Sequence, residues 1–373
     1  MGATVFVLIM SLLSANFSML RAIKMGNRHC SVPRVDLSRY MSTTEVQTFN
    51  NGDVLITGLN GPQDIMVKVV ACREIMQETI IKNDLSPQSG KALGEVLVST
   101  LMMGSGLKGE ETLQVITLIH LQTSMLLFNL VIRTFYLKVN FVGNTGIRNV
   151  MAITDGELKV RGMVGEPRFS NGQGENIRTK DLLGEGQIQI VRNHPSWKQP
   201  TNGIVLLRDI NIPLNLAFYM AESEQRSAVL LTDVKVEGNL CRYALGVMVE
   251  RLPGCTDENI EISIKNLEEV EKKGLRSYLD RTDEERKADK GQFRDFTPSL
   301  DKILNDCLAG MDFENSIRWS KSPQFRCSCG IERVWRTLRL LPANDVRELI
   351  QADGDVEVRC ELDLFCCHFW TQG

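Results

Sequence analysis

The chain has 373 residues, 43% hydrophobic and 24% charged, with a formal net charge of -3 and a pI near 6.0. That length allows two or three packed domains, and the charge excludes any overall electrostatic pull towards nucleic acid or anionic lipid. Of the ten cysteines, Cys30, Cys72, Cys241, Cys255 and Cys307 stand alone and five lie between 327 and 367, which excludes an evenly stapled secreted framework and points to a reducing compartment with thiols in metal or redox use.

Residues 1–45 are set apart as a targeting or disordered segment. Residues 1–35 contain no Asp or Glu but carry Arg21, Lys24, Arg28 and Arg34 among several serines, the composition of an organelle transit peptide, with the plastid stroma or mitochondrial matrix as destination. A secretory signal is the rival reading, against which stands the missing basic n-region. A tail with no address is the third.

Residues 46–253 read as an α+β core. "GDVLITGLNG" is a strand and turn, and "QDIMVKVVACREIMQETIIKN" puts Ile65, Val69, Cys72, Ile75, Met76 and Ile80 on one face at helical spacing. Ser86 and Pro87 start a helix that ends in a glycine-rich turn. "NVMAITDGELKVRGMVG" is two strands joined at Asp155-Gly156, "GQIQIVRN" and "NGIVLLRD" are further strands, and a helix then precedes two strands joined at Gly238-Asn239. Strands and helices segregate rather than alternate, which favours α+β over a doubly wound sheet.

Within this core, 116–139 is out of character. Ile116 to Ile132 carries no formal charge, but the run is marginal for a bilayer core needing about 20 residues and includes His120, Gln122, Thr123, Ser124 and Asn129. A membrane span is disfavoured; a buried helix or hairpin fits as well.

After Pro253 the composition changes. Residues 254–320 read as a charged helical linker with a thin apolar stripe through Ile260, Ile264, Leu267, Leu275 and Leu279, a segment near its own folding threshold. Residues 321–373 are too few to bury a sufficient core alone, so a metal staple is expected. Cys327 and Cys329 form C-x-C. A helix, a Pro-Ala-Asn-Asp break, a second helix and a strand then lead to Cys360, and thiolates arriving from two knuckles can close a tetrahedral Zn2+ site.

These residues, "FRCSCGIERVWRTLRLLPANDVRELIQADGDVEVRCE", with "GMVGEP", "YMAESEQRSAVLL" and "ALGVMVERLPG" upstream, resemble the redox-regulated heat-shock chaperones of about 33 kDa, whose hallmark is C-x-C, a spacer of about thirty residues and C-x-x-C. The resemblance covers most of 47–361. It implies an ATP-independent holdase with a core, a helical linker folded across it and a zinc domain in which Cys327, Cys329 and Cys360 are redox-active zinc ligands. Oxidation to disulfides releases zinc, unfolds the linker and exposes apolar surface to unfolding client proteins. A homodimer on oxidation is a further expectation.

The chain departs from the family at two places. Asp363 stands where the fourth cysteine belongs, and the sequence after 361 has no family likeness. Removing 116–139 joins "GEETLQV" to "NFVGNTG" and restores a family-like strand. Retained intron sequence or a gene-model error accounts for both. With the tail taken as real, Cys366, Cys367 and His368 are competent ligands and Cys366 is the expected fourth.

The other function classes have less behind them. A zinc-ribbon module binding nucleic acid or protein would use Arg333, Trp335, Arg336 and Arg339, but acidic sequence follows directly. A thiol-disulfide enzyme would need C-x-x-C opening a helix beside a βαβ unit. His29, His120, His194 and His368 are scattered and no nucleophile elbow or paired-carboxylate motif occurs, so no enzyme is expected.

Overall fold

The computed structural model describes residues 20–23, 52–107, 137–143, 146–172, 179–193, 197–208, 211–279, 297–327, 355–360 and 366–370. They belong to two compact units, one made of Met1–Asn51 and Ser328–Gly373, the other of Gly52–Cys327. The first contains one antiparallel sheet, in the order β1 (Leu20–Ile23), β13 (Asp355–Cys360) and β14 (Cys366–Trp370). β13 is the strand expected to lead into Cys360. β1 lies within the leader-like stretch.

In the second unit, β2 (Val54–Leu59) and β3 (Ile65–Ala71) form a hairpin, followed by α1 (Arg73–Asn83) and α2 (Pro87–Gly104). Ser86 caps α2 by accepting the Ser89 N–H at 3.2 Å, with Pro87 in the first turn, where a missing N–H costs nothing. Next come β4 (Leu137–Gly143), β5 (Asn149–Thr154), β6 (Lys159–Val164), α3 (Thr179–Leu183), β7 (Gly186–Arg192), β8 (Thr201–Leu206), α4 (Ile212–Ser223), β9 (Ala228–Glu237) and β10 (Leu240–Arg251). Two helices, α5 (Asp257–Lys273) and α6 (Thr297–Leu308), precede β11 (Ile317–Lys321) and β12 (Gln324–Phe325). A five-stranded sheet runs β11-β2-β3-β10-β9, and a six-stranded sheet runs β12-β6-β5-β4-β7-β8. This is the α+β class expected, with the hairpins at Asp155-Gly156 and Gly238-Asn239 in place.

The five-stranded sheet is buried on both faces. From one face Leu55, Val70, Ala244 and Met248 join α1, α2 and the six-stranded sheet in a large core, and α2 packs against strands of both sheets. From the other, Ile56, Ile65, Val67, Val69, Leu245 and Val247 meet Leu267, Val270, Leu300, Ile303, Leu304 and Leu308 of α5 and α6.

The structure corrects two expectations and places part of a third region. Ile65–Ala71 is a strand, and the helix starts only at Arg73. β3 is paired on both sides and buried on both faces, so its run of Val67, Val69 and Val70 is continuously apolar and period alone misreads it. The stripe on α5 is also displaced: Ser263, Leu267 and Val270 are buried whereas Ile264 is 51% exposed, because the face turned to the sheet is centred about a hundred degrees from Ile264. Finally, Leu137–Val139, the end of the 116–139 stretch, belong to β4, which pairs with β5 and β7 in the middle of its sheet. The remainder of that stretch lies outside the described residues. No helix of the described residues is long and apolar enough to cross a membrane.

Candidate functional site

The chain reaches its first clustered cysteine along a sheet edge. Gln324 and Phe325 pair in parallel with Lys159 and Val160 of β6. The Gln324 N–H donates to the Leu158 carbonyl and the Arg326 N–H to the Val160 carbonyl, each at 3.1 Å. The Lys82 ammonium sits 4.4 Å from the centre of the Phe325 ring, a cation–π contact that fixes the strand further. Cys327 follows two residues later and is half-buried. Its partner Cys329 lies outside the described residues, as do 331–354 with Arg333, Trp335, Arg336 and Arg339, and as do His29, His120 and His194. Among the described residues no three His, Cys, Asp or Glu side chains converge as metal ligands.

The other cysteines lie on one hairpin. β13 and β14 pair Arg359 with Cys366, Val358 with Cys367 and Glu357 with His368. Since successive strand residues alternate between faces, Cys360 shares its face with Val358 and therefore with Cys367. Cys366 shares the opposite face with Arg359, Glu357 and His368. This register puts Cys367 on the face of Cys360 and Cys366, the expected fourth ligand, on the other. Cysteine thiolates of this kind are the donors that Zn2+ prefers.

The solitary cysteines differ in kind. Cys72, Cys241 and Cys307 are buried, and burial raises all three thiols, Cys241 and Cys307 to about 12. They stay protonated and behave as small hydrophobes. Cys255 is half-exposed, and burial together with the Asp64 carboxylate raises it too.

The second part of the site is the apolar face under α5 and α6. Leu300, Ile303, Leu304 and Leu308 are completely buried against β2 and β3. Gly58 permits the close approach: a Cβ there would lie 2.9 Å from Leu304 Cδ1. The cover is also held by polar contacts. The Asp64 carboxylate accepts from Asn60 Nδ2 at 2.6 Å and from Asn259 Nδ2 at 2.9 and 3.1 Å. Burial pushes that carboxyl up, but these bonds, with those from the Thr256 N–H and Cys255, outweigh it and leave the pKa lowered. Asp306 accepts from Lys273 Nζ at 2.7 Å and from the Tyr278 hydroxyl at 2.6 Å, tying the end of α5 to α6.

The "ESEQR" stretch turns out to be structural. Glu224 pairs with Arg192 and Arg226, and Arg226 donates two hydrogen bonds, both of 2.6 Å, to the carboxylate of buried Glu250. Nearby Lys68 is 2% exposed and donates to the Met102 carbonyl at 3.1 Å; burial lowers its pKa to about 8, against the pull of Glu250.

The Hsp33 protein family matches residues 53–118 and 117–368, most of the chain. The chain belongs to the Hsp33 protein family. Among its Hsp33 relatives, the 33 kDa chaperonin of Thermus thermophilus is 26% identical over 316 residues, covering 82% of this chain and 81% of the relative. That of Lactobacillus acidophilus is 25% identical over 321 residues, covering 84% and 91%. The crystal structure of the Hsp33 homologue of Thermotoga maritima shares the fold with a TM-score of 0.64 at 19% identity, covering 86% of this chain and 95% of that one. Membership makes this a chain of a chaperone family, consistent with the expected lack of enzymatic activity. The two matched Hsp33 segments meet at 117–118, inside the 116–139 stretch, and the second runs to residue 368. It passes the break expected at 361, so Cys366, Cys367 and His368 lie within the Hsp33 match.

Proposed function

We propose that this protein is an ATP-independent, redox-switched holdase that binds unfolding client proteins under oxidative or heat stress. The observation that carries the reading is the apolar face of β2, β3 and β10, which is covered by α5 and α6 rather than by the central core. α5 is rich in charge and buries only a narrow apolar stripe, so the hold on this face rests mainly on α6, and loosening α6 would uncover it. An apolar sheet face of that kind suits extended, non-native chain.

The switch in this reading is thiol-based. Cys327, Cys329, Cys360 and Cys367 would hold Zn2+, which keeps thiolates deprotonated and supplies folding free energy to a domain too small to fold alone. In the presence of hydrogen peroxide one thiolate attacks a peroxide oxygen, giving a sulfenic acid and hydroxide. A second thiolate displaces the sulfenic hydroxyl as hydroxide to form the disulfide, so each pair of thiolates surrenders two electrons to one peroxide and two protons complete two waters. Loss of the thiolates removes the metal and with it the folding free energy, and the helical cover is the element biased to open. A homodimer of the oxidised form and an organellar stroma or matrix as its location belong to the same reading.

The test is one experiment with two readouts. Peroxide with mild heat is expected to release about one zinc per chain, in step with suppression of client aggregation. Reduced protein that contains no zinc and suppresses aggregation equally before and after oxidation removes the switch.

A further inference from the structure

The cover is fastened at both ends to one short turn. Between β2 and β3 the chain reads Asn60-Gly61-Pro62-Gln63-Asp64. Asn60 builds the turn: its side-chain oxygen accepts the N–H groups of Asp64 at 3.0 Å and Ile65 at 2.9 Å, while its Nδ2 donates to Asp64. Asn60 is fully buried and Asp64 is 6% exposed.

From this frame the turn reaches two places far apart in sequence. Asp64 receives Asn259 Nδ2 and the Thr256 N–H, the latter at 3.4 Å, at the start of α5, and its carbonyl accepts the Leu252 N–H at 2.8 Å just before. The Gly61 N–H donates to the Asp312 carbonyl at 3.2 Å, four residues beyond α6. The fit at Gly61 is tight, since a Cβ there would lie 2.0 Å from Asp312 Oδ2. Asp312 is itself in a left-handed conformation, φ 52°.

We propose that the Asn60–Asp64 turn is a latch that holds the α5–α6 cover on the five-stranded sheet at both ends, so that opening of the cover is set by this turn as well as by the thiols. The proposal rests on the holdase reading for its consequence but on these contacts for its existence. Apolar burial under α6 supplies most of the attraction. The latch supplies direction: α5 and α6 leave and return at one fixed point, and breaking either contact frees one end. It needs no oxidant.

Two single variants address the two ends. Gly61→Ala leaves an ordinary backbone conformation in the turn and only drives a methyl into Asp312; Asn259→Ala removes the side-chain bonds from α5 to Asp64, keeps the weaker Thr256 N–H and the Leu252 N–H bonds, and leaves the turn intact. In the reduced, zinc-treated full chain, each is expected to raise hydrogen exchange of α5 or α6 amides roughly tenfold while β3 and β10 amides change less than about twofold. Gly61→Ala with Asp312→Gly relieves the collision and suits the left-handed position, so exchange should return towards the original rate. Unchanged exchange in both single variants overturns the latch, as does a double variant that exchanges as fast as Gly61→Ala alone. Suppression of client aggregation without oxidant is expected to accompany the faster exchange. Faster exchange without it leaves the latch standing and overturns the holdase reading instead.

Discussion

At the residue scale, the thiols separate by environment. Cys72, Cys241 and Cys307 are locked as thiols by burial, so the proposed redox chemistry would fall to cysteines that a metal could hold as thiolates. C-x-C and the arm ending at Cys360 were legible because spacing alone announces them. The choice of fourth ligand in the proposed site was not, because Cys366 and Cys367 are neighbours in sequence and only strand register separates their faces. Cys367→Ser is therefore expected to weaken zinc retention against a chelator roughly tenfold or more, with Cys366→Ser near the parent. Equal retention by both variants, or a loss confined to Cys366→Ser, would reject the assignment. The Asp64 contacts had no signal in the sequence: a turn could be read from Asn60 and Gly61, but Asn259 stands 195 residues away from Asp64.

At the element scale, the decisive fact is which element covers which face. Local chemistry announced the hairpins at Asp155-Gly156 and Gly238-Asn239, since each turn carries its own glycine. β3 was misread because burial on both faces erases alternation, and the face of α5 was misjudged because a sheet and a second helix share it. α6 has the clearest role. Leu304 is fully buried on β2, and truncating a buried leucine costs about 2–5 kcal/mol. Leu304→Ala is expected to loosen α6 before the rest of the fold: an apolar dye should bind the reduced protein at a lower temperature than the parent, while the central core melts as before. Dye binding and core melting that shift together would mean the cover is not a separable element.

At the scale of the whole molecule, the α+β class was readable from the segregation of strand and helix patterns, and the covered sheet face was not, because it depends on strands and helices some 200 residues apart meeting. The apolar stretch in the middle also has a simple reading in register. Leu113-Gln114-Val115 and Leu137-Lys138-Val139 share one pattern, and the second is the start of β4. Deleting 116–139 would bring Leu113, Gln114 and Val115 into the positions of Leu137, Lys138 and Val139, opposite Thr154, Ile153 and Ala152 of β5. The deleted chain is expected to fold with the same midpoint of thermal unfolding to within about 4 °C. A fall well beyond that would make the stretch an integral part of the fold.

The strands that lead to Cys327 bear on how force travels through the protein. β11 is zipped along β2 of one sheet and, after Ser322 and Pro323, β12 is zipped along β6 of the other. Tension entering at Cys327 meets the two-residue β12 first, which can be peeled from its end one bond at a time, and reaches the five pairs of β11 only afterwards. In chain order, a pull from Cys327 therefore has the two pairs of β12 to undo before the five of β11, and the end of α6 lies beyond both.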